Sequence, residues 1–228
     1  MVAPTAENAA IKYQPSSQRF QVAIPANTEG VVIKGFVSVK TPDRDGDLID
    51  PAAFDLDAFM INPQVLVNHA LWTNQQGNRV GVGTVKSIHR VKIRRSDVRG
   101  VNSIWDMDQK KEIDQVSRDM YPGLIQGTVG VYAFIHVTDP DVVKMVEAGQ
   151  LTSFSWRGKS VPNYAFDPKR NQTFKGYEYI DMWEVSLVTL PNNPHSSFHV
   201  VKDAMHSVRF SKEMYSESAS VQALAQRM

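Results

Sequence analysis

The chain has 228 residues, 42% of them hydrophobic, which suits one domain with extensions or at most two, with a sizeable core. Its 25 Lys and Arg against 24 Asp and Glu give a net charge of +1, which argues against a dedicated nucleic-acid binder. The absence of cysteine excludes disulfides, thiolate catalysis and Cys-ligated zinc, and it fits a reducing compartment.

Residues 1–17 are polar and Pro-punctuated and read as a loose arm; no basic stretch followed by an apolar one marks a signal peptide. Residues 20–24 and 30–39 alternate or run β-branched and predict strands. Asp43, Asp45 and Asp47 have the opening spacing of a calcium loop. An EF-hand, however, needs Gly where Leu48 stands and Glu where Phe54 stands, so a loop whose aspartates bond their own backbone is expected. Residues 51–60 predict a short helix, with Asp50 as N-cap and Pro51 in first position.

Residues 62–69, NPQVLVNH, predict a strand that puts His69 on the Val65/Val67 face. Gly81 and Gly83, in the strand predicted over 80–85, suggest close backbone approach. The basic run HRVKIRR, 89–95, alternates like a charge-protected edge strand. Residues 101–106 predict a strand, and the charged 108–121 segment is a weak helix candidate. Residues 124–138 return to strand, with Gly127 and Gly130 at bends or bulges. The best helix is 139–149, capped by Asp139, started by Pro140 and ended by Gly149, with Val142, Val143 and Val146 as its apolar stripe.

That helix runs into LTSFSWRGKS, 151–160, a predicted strand on which Ser153 and Ser155 share one face and Phe154 and Trp156 the other. Residues 163–175 read as a polar excursion. Residues 177–190 are a strand region ended by Pro191 and the NNP turn. Residues 203–228 lack the periodicity to bury a face, apart from a short amphipathic stretch over 221–228. No run is apolar and long enough to span a membrane, and there is no internal repeat.

Nucleophilic hydrolysis needs a serine, a histidine to take its proton and a group to orient that histidine. His69, Ser153 and Glu184 each lie on or at the end of a predicted strand. Glu184 interrupts an apolar strand, where it either faces solvent or, if buried, needs a partner such as an imidazole N–H. A histidine–carboxylate metal site using His69, His136 or His195 lacks the H-x-x-x-H or H-E-x-x-H spacing.

Four segments in order resemble the prohead (capsid maturation) proteases of tailed bacteriophages, in the branch typified by phage HK97. They are DRDGDLIDPAAF at 43–54, NPQVLVNH at 62–69, the serine strand SFSW at 153–156 after a helix, and EVSLVTLPNNP at 184–194. The matches span about residues 30–200. The resemblance implies a serine endopeptidase with an α+β fold, a mostly antiparallel β-barrel surrounded by helices, similar to herpesvirus assemblins. It divides the chain into an arm and first strand (1–29), a protease domain (30–202) and a polar tail (203–228).

Carried over position by position, His69 is the general base, Ser153 the nucleophile and Glu184 the group that orients His69. The family often has glycine two residues after the serine, so Ser155 is a second candidate hydroxyl. His195 stands where a small residue is usual, and herpesvirus relatives use a second histidine as third member, so His195 is the alternative to Glu184. Arg157 or nearby backbone amides are the candidate oxyanion donors. The His69–Ser153 spacing is long for the family and implies an insertion, with 108–121 as its candidate.

The implied role is cleavage of scaffold or of the major capsid protein's scaffolding segment, and of the protease itself, inside the prohead in the host cytoplasm. No cofactor, nucleic acid or membrane is expected as a partner; self-association is. The rival from another class is a capsid scaffold or interaction module that keeps the fold without catalysis. The tail is expected to be mobile or to dock on a partner, and the resemblance implies a role in directing packaging or removal by self-cleavage.

Overall fold

The computed structural model describes residues 30–168 and 171–201. The strand expected over 20–24, the polar tail and its amphipathic stretch lie outside the described residues. The fold is mostly β, with a curled half-barrel sheet and few helices.

Six strands form the main sheet. They are β1 (Val31–Val39), β5 (Gly83–Arg95), β6 (Val101–Asp106), β7 (Lys111–Ser117), β8 (Val129–Val137) and β11 (Phe198–Val200). Their order is β11-β1-β8-β5-β6-β7, and every neighbouring pair is antiparallel. A second sheet has the order β2-β10-β9, from β2 (Gln64–Val67), β10 (Gln172–Val188) and β9 (Ser153–Asp167). Here β9 is antiparallel to β10, and β2 is parallel to it. A two-stranded ribbon, β3 (Trp72–Thr73) with β4 (Arg79–Val80), completes the strands among the described residues.

The main sheet buries both faces, and β8 shows why its sequence, VGVYAFIHV, reads as a nearly continuous apolar run. Val131, Ala133, Ile135 and Val137 join one core with Val65, Val185, Leu187 and Phe154 of the second sheet. Tyr132 and Phe134 point the other way, into a core held within the curl with Phe36, Ile104, Ile113 and Tyr121. Phe36 stands edge-on to Tyr121 and Tyr132, with ring centroids 4.9 and 5.1 Å apart. Lys34 on β1 and Asp114 on β7 meet across the curl at 2.7 Å, and Tyr132 also donates to Asp114 at 2.8 Å.

Several expectations needed correction. Residues 51–60 do not form one helix. A 3-10 turn, Pro51–Ala53, capped by Asp50, is followed by the α-helix α1, Leu56–Ile61, capped by Asp55. The break exists because Phe54 bridges Ile180 and the Asp55 N–H donates to the Ile180 carbonyl at 3.0 Å. The basic run 89–95 is not on an edge strand: β5 lies between β8, paired through Lys92, and β6, paired from Val91 to Arg95. Its alternation is real, with Val91 and Ile93 buried, and Arg94 stacks over Trp105 at 3.7 Å. The charged 108–121 segment is β7 plus a 3-10 turn, Arg118–Met120, because Ile113 and Val116 fill the curled core. The predicted excursion at 163–175 is instead the outer part of a long β9–β10 hairpin.

Other expectations held. The helix α2, Pro140–Glu147, is capped by Asp139, which accepts the Asp141 and Val142 amides, and Gly149 at φ 68° ends it. Gly83 admits the His136 carbonyl so closely that a Cβ would lie 2.3 Å from it. The Asp43 carboxylate accepts from the Asp45 and Asp47 amides at 3.0 and 2.8 Å.

Four histidines, His89, His136, His195 and His199, have pKa values lowered by burial. For His89, burial outweighs the opposing pull of Asp106, whose Oδ2 lies 2.6 Å from Nδ1; Nε2 is buried without a hydrogen-bond partner. The unfolded chain therefore takes up protons first as pH falls below about 6.5, so their stabilising contribution is full above that value and lost below it. A thermal melting midpoint lower at pH 5 than at pH 7.5 is expected. So is a His89 Cε1–H NMR signal that stays in the neutral position below pH 6.5. A His89 signal titrating at or above that pH would contradict its neutral burial.

Candidate functional site

The second sheet builds the site. Antiparallel partners share a face, and the β9–β10 register pairs Ser155 with Ser186, Ser153 with Val188, and Arg157 with Glu184. Ser153, Ser155, Arg157, Glu184 and Ser186 therefore lie on one face. Phe154, Trp156, Val185 and Leu187 take the other, against the core. Trp156 stands edge-on to Phe54 at 5.0 Å, and Phe154 packs against Phe198 at 4.9 Å.

A register shift in β10 between Met182 and Glu184 takes Glu184 off the core face of Ile180 and Met182 and onto the face of Ser186. Trp183 is the extra residue and is exposed; Glu184 is 5% exposed. Such a carboxylate must be partnered. Its Oε1 lies 2.6 Å from His69 Nδ1, and its Oε2 accepts the Ser186 hydroxyl at 2.6 Å. The bond to Nδ1 favours the tautomer with the proton there, which leaves Nε2 free to accept one.

His69 reaches this face by a route alternation did not predict. β2 ends at Val67, and Asn68 and His69 have φ values of 49° and 61°. This left-handed turn swings His69 off the Val65/Val67 face and over β10. It is held by the Asn68 N–H donating to the Leu187 carbonyl at 3.1 Å and the His69 N–H donating to Ser186 Oγ at 2.9 Å.

The two candidate serines differ in setting. Ser153 is 6% exposed, not solvated as a free strand face would be, because it bridges Ser197 while Phe154 N–H donates to the Ser196 carbonyl. Its Oγ lies 3.4 Å from Thr152 Oγ1. Ser155, half-buried, sits directly across from Ser186; a cavity of about 180 Å³ nearby is lined by Asp43, Asp45 and Asp47 and, from the Phe154/Trp156 side of the strand, by Phe154, Trp156 and Tyr177. Neither hydroxyl is hydrogen-bonded to His69, whose side-chain and amide partners are Glu184 and Ser186.

His195 is not brought to this cluster. Its ring lies near Gly123, where an added Cβ would be 3.5 Å from Cε1, and Glu184 already occupies the Nδ1 side of His69. Arg157 is exposed on the shared face opposite Glu184. Among the described residues no three His, Asp or Glu side chains converge as a metal site. Sequence reasoning missed Ser186; its one signal was a polar residue two places after Glu184 in an apolar run. The chain matches no protein-family model, no curated protein and no solved structure.

Proposed function

We propose that this chain is a serine endopeptidase of prohead maturation, with His69 as general base, Ser153 as nucleophile and Glu184 as the group that orients His69. The observation that carries the reading is the buried Glu184 carboxylate bonded to His69 Nδ1 at 2.6 Å, on the sheet face that also presents Ser153 and Ser155. Buried carboxylates are costly unless they have such a task or partner. The curled, mostly β sheet with few helices is compatible with an α+β fold; that this fold is assemblin-like is part of the same proposal.

In the proposed reaction His69 Nε2 takes the serine proton as Oγ attacks the scissile carbonyl. His69 then returns the proton to the leaving amine, and water hydrolyses the acyl-enzyme by the same route. Glu184 holds the imidazole in place and offsets its charge while it is protonated. Arg157 or a backbone amide near it stabilises the oxyanion, so no cofactor is required. The substrates are scaffold and major capsid protein, and the protease itself, inside the prohead.

Co-expression with the neighbouring capsid gene tests the role. Capsid-protein cleavage that disappears in Ser153→Ala and survives a chelator is expected; cleavage lost only to the chelator would replace the serine reading with a metal one. Glu184→Gln should cost less than loss of the base, roughly 10²–10⁴-fold in kcat, since it orients and does no bond chemistry. A Glu184→Gln variant of unchanged kcat would remove Glu184 from the mechanism.

A further inference from the structure

We infer that Ser186 is a positioning residue that locks His69 and Glu184 into one closed hydrogen-bonded ring; as a statement about catalysis this rests on the proteolytic reading above. A hydroxyl has one proton to give and two lone pairs. Ser186 uses the proton on Glu184 Oε2, at 2.6 Å, and a lone pair on the His69 N–H, at 2.9 Å. The ring closes through Glu184 Oε1 and His69 Nδ1. Ser186 is fully buried, so no water replaces either bond.

The ring answers two physical problems at once. Asn68 and His69 are non-glycine residues at positive φ, a conformation that persists only where surrounding contacts hold it. The Ser186 bond to the His69 amide is one of those that do, beside the Asn68 N–H to the Leu187 carbonyl and the Ala70 N–H to the Val67 carbonyl. Glu184, for its part, would rotate about its terminal torsion if only Oε1 were bonded. Donation to Oε2 fixes the carboxylate plane, and with it the direction in which His69 Nε2 points. The seryl side chain is thus in contact with both the base and its orienting group, without touching substrate.

Ser186→Ala removes both bonds and leaves a buried carboxylate oxygen unpaired. Three readings test the proposal. Hydrogen exchange at the His69 amide should quicken at least tenfold. The hydrogen-bonded His69 Nδ1–H proton signal should broaden or vanish. The rate constant kcat should fall about 10–100-fold, with KM within about twofold.

Ser186→Thr keeps the hydroxyl on a strand that suits a β-branched residue, and should restore the Nδ1–H signal and most of kcat. If Ser186→Ala does not fold, Ser186→Cys, of similar shape and a weaker donor, serves instead and should give intermediate values. A residue that merely fills space would lower the melting midpoint and leave the His69 amide and Nδ1–H signals as they were; that result overturns the proposal. The two NMR readings do not depend on proteolysis. An inactive wild-type protein with a perturbed His69 in Ser186→Ala would sink the proteolytic reading and uphold the ring.

Discussion

His69→Ala is expected to slow peptide-bond cleavage by about 10⁴–10⁶-fold, and Ser153→Ala to do the same. The equality is the informative part. A base and a nucleophile that act as one unit lose the same step when either is removed, so the double variant should be no slower than either single one. Ser155→Ala should keep at least partial activity, although its partner in register is Ser186, the residue bonded to both His69 and Glu184. The comparison is made by kcat on a peptide spanning the cleavage point. If Ser155→Ala is the inactive variant and Ser153→Ala cleaves normally, the nucleophile moves by two residues along the same strand face and the mechanism stands.

Gly158→Ala is expected to cost about 3 kcal/mol and to lower the melting midpoint by about 10 °C. Gly158 pairs with Met182 at the register shift that puts Glu184 on the serine face. A Cβ there would lie 2.1 Å from the Asp181 carbonyl oxygen and 2.9 Å from the Met182 Cα, both backbone atoms that cannot swing aside as a side chain tip does. Alanine gains at most about 1 kcal/mol by restricting the unfolded chain, too little to offset that clash. The strands must separate next to Glu184, so cleavage should fall further than the population of folded protein does. Urea unfolding with a parallel activity assay measures both. A Gly158→Ala variant as stable as the parent would mean the strands do not approach as described.

Local chemistry made α2 legible, because Asp139, Pro140 and Gly149 act within a few residues of the helix they bound. Alternation likewise revealed β1 and the Ser153/Ser155 face. It failed where the long-range setting decides. Lys92 and Arg94 look like edge protection, yet β5 is interior to the sheet and the two side chains leave its solvent face opposite Val91 and Ile93. Ile113 and Val116 are too few to signal β7 until the curl closes over them. The helix at 51–60 broke because Ile180, far along the chain, claims the Asp55 amide.

The site divides in the same way. Glu184 stood out as a carboxylate in an apolar strand, and His69 as a strand-end histidine. Their meeting is a contact 115 residues apart, which neither segment encodes alone. The turn at Asn68 and His69 carried only the weak signal that Asn and His tolerate positive φ better than other non-glycine residues, and it took the histidine off the expected face. Ser186 was passed over for the opposite reason: a serine two places after Glu184 is ordinary in a strand until its two bonds are seen.

The most direct measurement of the central claim is covalent labelling by a fluorophosphonate, which reacts with a serine only where a base activates it. The chain is incubated with the probe, digested, and the modified residue located by mass spectrometry. The account predicts one label per chain, on Ser153, that is lost in His69→Ala and weakened in Glu184→Gln. No label on either Ser153 or Ser155 in the folded protein, or a label that His69→Ala leaves unchanged, would contradict it.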